Sequence, residues 1–186
     1  MASSPPKTIH LGCGKNKEAG AFGVDLSPYP GVDLVHDLEK FPYPIESDHF
    51  DRVVALDVLE HLDHFVGAIE EIHRISRDDA EIVISAPFAT SLFRHHDPTH
   101  RRGLTRLSMD YFIPGTDFHT KYAYSHAIFK KLQFGYSLNE NRGWLGRGMR
   151  KLANSFPAFY ERHLRYVYPM DNVYFVLKSI KKQGPR

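Results

Sequence analysis

The stretch Thr8-Ile-His-Leu-Gly-Cys-Gly-Lys-Asn-Lys-Glu-Ala-Gly-Ala-Phe-Gly-Val-Asp25 decides the fold. A short apolar run ends in Gly12-Cys13-Gly14, and a second apolar stretch leads into Asp25. The pattern is strand, glycine loop, strand and terminal acid. Glycines let a backbone pass close to a ligand where a Cβ would collide. An acid at the carboxyl end of the second strand can accept both hydroxyls of a ribose. Gly12, Cys13, Gly14, Asp25 and the following Leu26 are therefore candidate nucleoside-binding residues. In a dinucleotide fold the acid follows a three-glycine loop by about 20 residues. Here only about ten residues separate Gly14 from Asp25, and Lys17 stands where a third glycine would be counted from Gly12. This spacing disfavours a nicotinamide dinucleotide and suits a nucleoside without a pyrophosphate.

The segments downstream continue in a consistent order. Asp33-Leu-Val-His-Asp37-Leu38 reads as a third strand with an acid after it. Arg52 to Leu56 is a continuous apolar strand, as expected where helices cover both faces of a sheet. It leads into Asp57-Val-Leu-Glu60-His61-Leu62. Asp63 is placed to cap a helix, and Phe65, Val66, Ile69, Ile72 and Ile75 recur at helical spacing. Arg77-Asp78-Asp79 reads as a turn, and Ile82 to Ser85 as a fifth strand ended by Pro87. Alternating strands and helices imply a doubly wound α/β domain with a mostly parallel sheet.

Over roughly residues 7–90 the ordered set resembles class I S-adenosylmethionine-dependent methyltransferases, in particular the small type 11 domains. The resemblance implies a seven-stranded Rossmann-like sheet. It also implies S-adenosylmethionine as methyl donor, with S-adenosylhomocysteine as product. By the same resemblance Asp37 accepts the adenine amino group, and Leu38 offers a backbone N–H and an apolar wall. Asp57 either faces the methionine part of the cofactor or caps the turn from Val58 to Leu62. Glu60 and His61 match a Glu-His dipeptide that orders this loop. His61 is counted with the cofactor-binding residues, and Glu60 is not read as catalytic.

Beyond residue 90 the reading is coarser. Thr105 is expected to cap a short helix through Phe112, and Ser125 another to Leu132. Phe134–Leu138 and Val173–Ile180 read as the last two strands. The segment 139–171 reads as an inserted helical cap within one domain spanning residues 1–186. The first crossover is so short that its helix is expected to be one turn or absent. Residues 1–6 and 181–186 read as frayed termini.

Five of the 12 histidines fall in residues 95–126. The segment Arg94-His-His-Asp-Pro-Thr-His-Arg-Arg follows the fifth strand, so it belongs over the carboxyl edge of the sheet. Histidine titrates near neutrality and can take a proton from a hydroxyl or amine, which makes His96 and His100 the candidate catalytic bases. His96, Asp97 and His100 offer metal-ligand atoms, but their spacing matches no zinc pattern, and no metal is expected. Arg101 and Arg102 can hold an acidic substrate group or line a surface.

The bulk numbers set bounds. A chain of 186 residues with 42% hydrophobic and 25% charged residues has the composition of an ordinary globular domain. A net charge of +2 gives no argument for nucleic acid. The single cysteine excludes an internal disulfide, and no apolar run reaches the length of a membrane span. The chain carries no signal-peptide pattern and reads as cytoplasmic. The expected activity is methyl transfer to a small-molecule oxygen or nitrogen. The alternatives are a non-catalytic module that binds S-adenosylmethionine, and a peripheral enzyme acting on a lipid or glycoconjugate through the basic, apolar stretch from Trp144 to Tyr168. Whether the chain works alone, as a homo-oligomer or with a partner subunit stays open.

Overall fold

The computed structural model describes residues 7–122, 124–138 and 142–181. The ends read as frayed lie outside this range apart from Lys181, as do residues 139–141 at the start of the expected insertion. Seven strands, β1 (Thr8–Leu11), β2 (Phe22–Asp25), β3 (Leu34–Val35), β4 (Phe50–Leu56), β5 (Ser76–Pro87), β6 (Phe129–Ser137) and β7 (Asn172–Ser179), form one sheet. Its order is β3-β2-β1-β4-β5-β7-β6. All neighbours are parallel except β7, which runs antiparallel to both β5 and β6. The doubly wound, mostly parallel sheet expected from the sequence is therefore present.

The chain turns to β2 on one side of β1 and then crosses to β4 on the other. This reversal opens a crevice at the carboxyl ends of β1 and β4, where open α/β sheets hold ligands. Helix α1 (Phe65–Ile75) buries Ala68, Ile69, Ile72 and Ile75 against the sheet. Each of these isoleucines contributes about 1.5–3 kcal/mol by leaving water. No helix forms between Gly14 and Phe22, the second of the two outcomes that the short spacing allowed. Instead Nδ1 of His10, in β1, accepts the Glu18 N–H at 3.1 Å and holds this irregular crossover to the sheet.

Several local expectations are corrected. Asp63 does not cap α1: its side chain is exposed and faces Arg101 Nε at 3.2 Å. The longer Glu39 reaches across from the β3–β4 connection, where its carboxylate accepts the N–H groups of Asp63 and His64. Residues 77–79 are not a turn but the start of β5, with Asp79 at φ +63°. Thr105 heads a turn, with Ser108 Oγ accepting its N–H at 2.9 Å, and only Asp110–Phe112 close a 3₁₀ turn. Ser125 caps no helix; its Oγ accepts the Ala127 N–H in a local turn, and β6 begins at Phe129. A bulge between Lys131 and Gln133 breaks the strand alternation of β6. It shifts the buried positions out of a two-residue period, which imitates a helix in sequence.

Short helices α2 (Phe93–His96) and α3 (Asp117–Lys121) precede β6. Helices α4 (Gly143–Ser155) and α5 (Pro157–His163) precede β7. The Asn154 side chain of α4 pairs with both backbone groups of Tyr136, donating to its carbonyl at 3.1 Å and accepting its N–H at 2.7 Å. Polar groups on the edge strand β6 are thereby covered. Tyr160 of α5 and Tyr136 stack edge to face at 4.9 Å within the core. No helix among the described residues is long and apolar enough to cross a membrane.

Candidate functional site

The crevice is built first by the glycine loop. Gly12 has φ +63°, and a Cβ there would lie 2.3 Å from Val58 Cγ2. The β1 loop thus passes against the turn after β4, and only glycine permits both the conformation and the contact. Gly14 has φ +51° and open space where a Cβ would project. Its N–H donates to Asp25 Oδ2 at 2.8 Å, while the Ser27 N–H donates to Oδ1 at 2.9 Å. Two backbone donors orient the carboxylate at the end of β2 and leave each oxygen a lone pair for a ribose hydroxyl. Cys13 is buried, and its N–H donates to Val24 O at 3.1 Å, which closes β1 onto β2. Leu26 is largely exposed beside Asp25.

Asp37 accepts the Glu39 N–H at 3.0 Å, a local turn that presents its carboxylate beyond β3. Leu38 is buried in the core. Lys17 is engaged by Asp33 at 2.8 Å, so it does not serve as a free cation for a ligand carboxylate. These residues form a surface of the composition a nucleoside requires: a loop without Cβ obstruction, an oriented acid, and a second acid one strand away.

Asp57 follows β4 with φ +50°, a conformation that costs energy for most residues and clusters at functional sites. Its Oδ1 accepts from Asn172 Nδ2, at the start of β7, at 3.0 Å. Burial raises its pKa, opposed by His100, the Asn172 hydrogen bond and His61. Asn172 was not identified from sequence, because its role depends on β7 lying antiparallel beside β5.

A cavity of about 270 Å³ opens here, lined by Asp57, Glu60, Pro87, Phe93, His96, Asp97, His100 and Asn172. Both expected histidines thus face one space. They differ in setting: His96 is exposed and packs its ring against Phe93 at 5.7 Å, whereas the His100 side chain is 9% exposed. His100 Nε2 lies 3.9 Å from Glu60 Oε1, and its ring stands 4.6 Å from that of His61. Glu60 is fully buried, and neither carboxylate oxygen has a hydrogen-bond partner. Burial pushes its pKa up to about 8, with the charges of Asp57 and Asp97 adding to the effect. The Glu60 carbonyl, not its side chain, fastens the histidine loop by accepting the Arg101 N–H at 2.8 Å.

The two arginines of this loop act as fasteners. Arg101 faces Asp63, while Arg102 donates to the Asp63 carbonyl at 3.1 Å and lies over the Phe65 ring at 5.5 Å. Among the aromatic residues between 88 and 124, Phe93 lines this cavity, Phe88 and Phe112 are buried, and Tyr111 and Tyr124 line a separate apolar cavity.

Comparison with known proteins agrees with this geometry. The family described as Methyltransferase domain matches residues 9–84. Comparison with curated proteins gives no match. Among solved structures, the YcgJ protein of Bacillus subtilis is similar with a TM-score of 0.57 and 14% identity, covering 96% of this chain and 93% of that one. A SAM dependent methyltransferase from Archaeoglobus fulgidus gives 0.57 and 16% identity over 92% and 85% of the two chains. A structure of a Haloferax volcanii methyltransferase with the Trm112 methyltransferase activator gives 0.58 and 15% identity over 95% and 83%. With the strand order and the β1–β2 acid loop, residues 9–84 are similar to the family described as Methyltransferase domain, and the chain shares the fold of these solved structures.

Proposed function

We propose that the protein transfers a methyl group from S-adenosylmethionine to an oxygen or nitrogen of a small molecule bound in the cavity between the β4 and β5 ends. The observation that carries this reading is the adjacency of two features at one sheet edge: the Gly14–Asp25 loop and the 270 Å³ cavity bearing Asp57, His96 and His100. The open space at Gly14 and the oriented Asp25 carboxylate suit a nucleoside, which is the fit that the cofactor requires. Asp25 would hold the ribose, Asp37 and Leu38 the adenine, and Asp57 the amino acid end. When bound, the cofactor supplies a methyl group already activated on a sulfonium.

The chain's own residues then position and deprotonate the acceptor. Phe93 and Pro87 offer an apolar wall, and His96 at the mouth takes the acceptor's proton. Holding the acceptor's lone pair in line with the methyl carbon accounts for most of the acceleration. Titration calorimetry with S-adenosylhomocysteine, with NAD as control, tests the cofactor assignment; the first is expected to bind in the micromolar range and the second not at all. Turnover in an acceptor screen separates an enzyme from a non-catalytic binding module.

A second reading, action at a lipid surface, is favoured by the exposed Trp144, Phe156, Phe159 and Tyr166 in and beside α4 and α5. Vesicle sedimentation of the wild type, and of a variant lacking residues 142–165, tests it.

A further inference from the structure

We propose that Glu60, His61 and His100 form a binding site for one divalent cation of the Zn2+ class in the wall of the acceptor cavity. One ligand atom from each lies within 4.8 Å of the others. Metal bonds of about 2.1 Å in a tetrahedral arrangement place ligand atoms about 3.4 Å apart, so a contraction of at most about 1.4 Å closes the site. Two imidazoles and one carboxylate are a donor set for borderline transition-metal ions, and three protein ligands leave a position open to water or an acceptor oxygen.

Two further observations point to a ligand. The Glu60 side chain is fully buried, and both of its oxygens lack a hydrogen-bond partner, as does Nδ1 of His100. Buried polar atoms are nearly always satisfied, and unpartnered ones mark an unfilled role. A cation would satisfy the buried carboxylate.

The second observation is a supporting hydrogen-bond chain. Thr99 Oγ1 donates its one proton to Asp97 Oδ1 at 2.6 Å. His61 Nδ1, 2.8 Å from the same hydroxyl oxygen, must therefore be the donor to it. The His61 proton is thus fixed on Nδ1, which leaves Nε2 with its lone pair free. A carboxylate acting outward through a hydroxyl on a ligand's N–H is how metal-binding histidines are oriented.

The site deepens the methyltransfer reading and rests on it only for what the cation would do. There it would hold an acceptor's hydroxyl oxygen or amine nitrogen in the cavity. Binding itself is independent of that reading. The test is titration of the metal-stripped full chain with Co2+, followed by its visible d–d absorption, and with Zn2+ by calorimetry. One equivalent is expected to bind, with the absorption of a low-symmetry nitrogen–oxygen site. Glu60→Gln, His61→Ala and His100→Ala are each expected to weaken binding at least tenfold, whereas His96→Ala leaves it unchanged. Thermal melts and far-UV circular dichroism confirm that each variant is folded. A folded wild type that binds Co2+ and Zn2+ no better than the His61→Ala/His100→Ala double variant overturns the proposal. Metal binding without S-adenosylhomocysteine binding would instead sink the methyltransfer reading and leave the metal site standing.

Discussion

The N–H of Gly14 donates to the carboxylate of Asp25 at 2.8 Å across a crossover that contains no helix. One hydrogen bond thus joins the loop that would lie under a nucleoside to the acid that would hold its ribose. Loop and acid are set in place together, before any ligand arrives, which lowers the ordering cost of binding.

Asp25→Ala is expected to weaken S-adenosylhomocysteine binding by roughly 10- to 100-fold, the range for losing hydrogen bonds to a charged group. Asp25→Asn keeps one acceptor and should fall between the two. Calorimetry reads both, and an unchanged affinity in the alanine variant would remove Asp25 from the cofactor site.

Gly12→Ala combines a positive φ with a contact of 2.3 Å to Val58 Cγ2. The expected destabilisation is about 2–4 kcal/mol from strain and overpacking together. Val58→Ala in the same chain should recover part of it, because only the steric component is relieved. A double-mutant cycle by urea denaturation measures that coupling.

Glu39 supplies the carboxylate that accepts the first N–H groups at the start of α1. Glu39→Ala should cost about 1–2 kcal/mol, as for loss of a side-chain cap. Asp63→Ala should cost much less, since that side chain meets only an exposed arginine. Equal costs would return the capping role to Asp63.

His10 makes the crossover sensitive to pH. Burial is the main cause that holds its pKa below the ordinary value of 6.5, and its Nδ1 must stay unprotonated to accept the Glu18 N–H. A depressed histidine stabilises the fold fully above the unfolded value, and loses that contribution as pH falls through the folded one. Thermal stability should therefore drop from about pH 7 to about pH 5 more steeply in the wild type than in His10→Asn. Parallel pH profiles of the two proteins would show that His10 plays no such part.

Both the strand-loop-strand-acid order and the lack of room for a full first helix follow from sequence alone. Apolar runs, glycine spacing and a crossover of about ten residues are local constraints, and each admits few solutions. The same holds for α1, whose isoleucines mark a single buried stripe at helical period. Tertiary structure alone decided which side chains meet. Glu39 reaches α1 only because the β3–β4 connection folds beside it, and Asn172 meets Asp57 only because β7 runs antiparallel along β5. The β6 bulge hid the first part of that strand from periodicity, while Phe134 onward was legible as a strand. Glu60, His61 and His100 are neighbours because the loop after β5 folds back onto the turn after β4, a closure secured by the Arg101–Glu60 backbone bond. No local pattern encodes a contact between residues forty positions apart. Its geometry is set by how the sheet brings two strand ends to one edge.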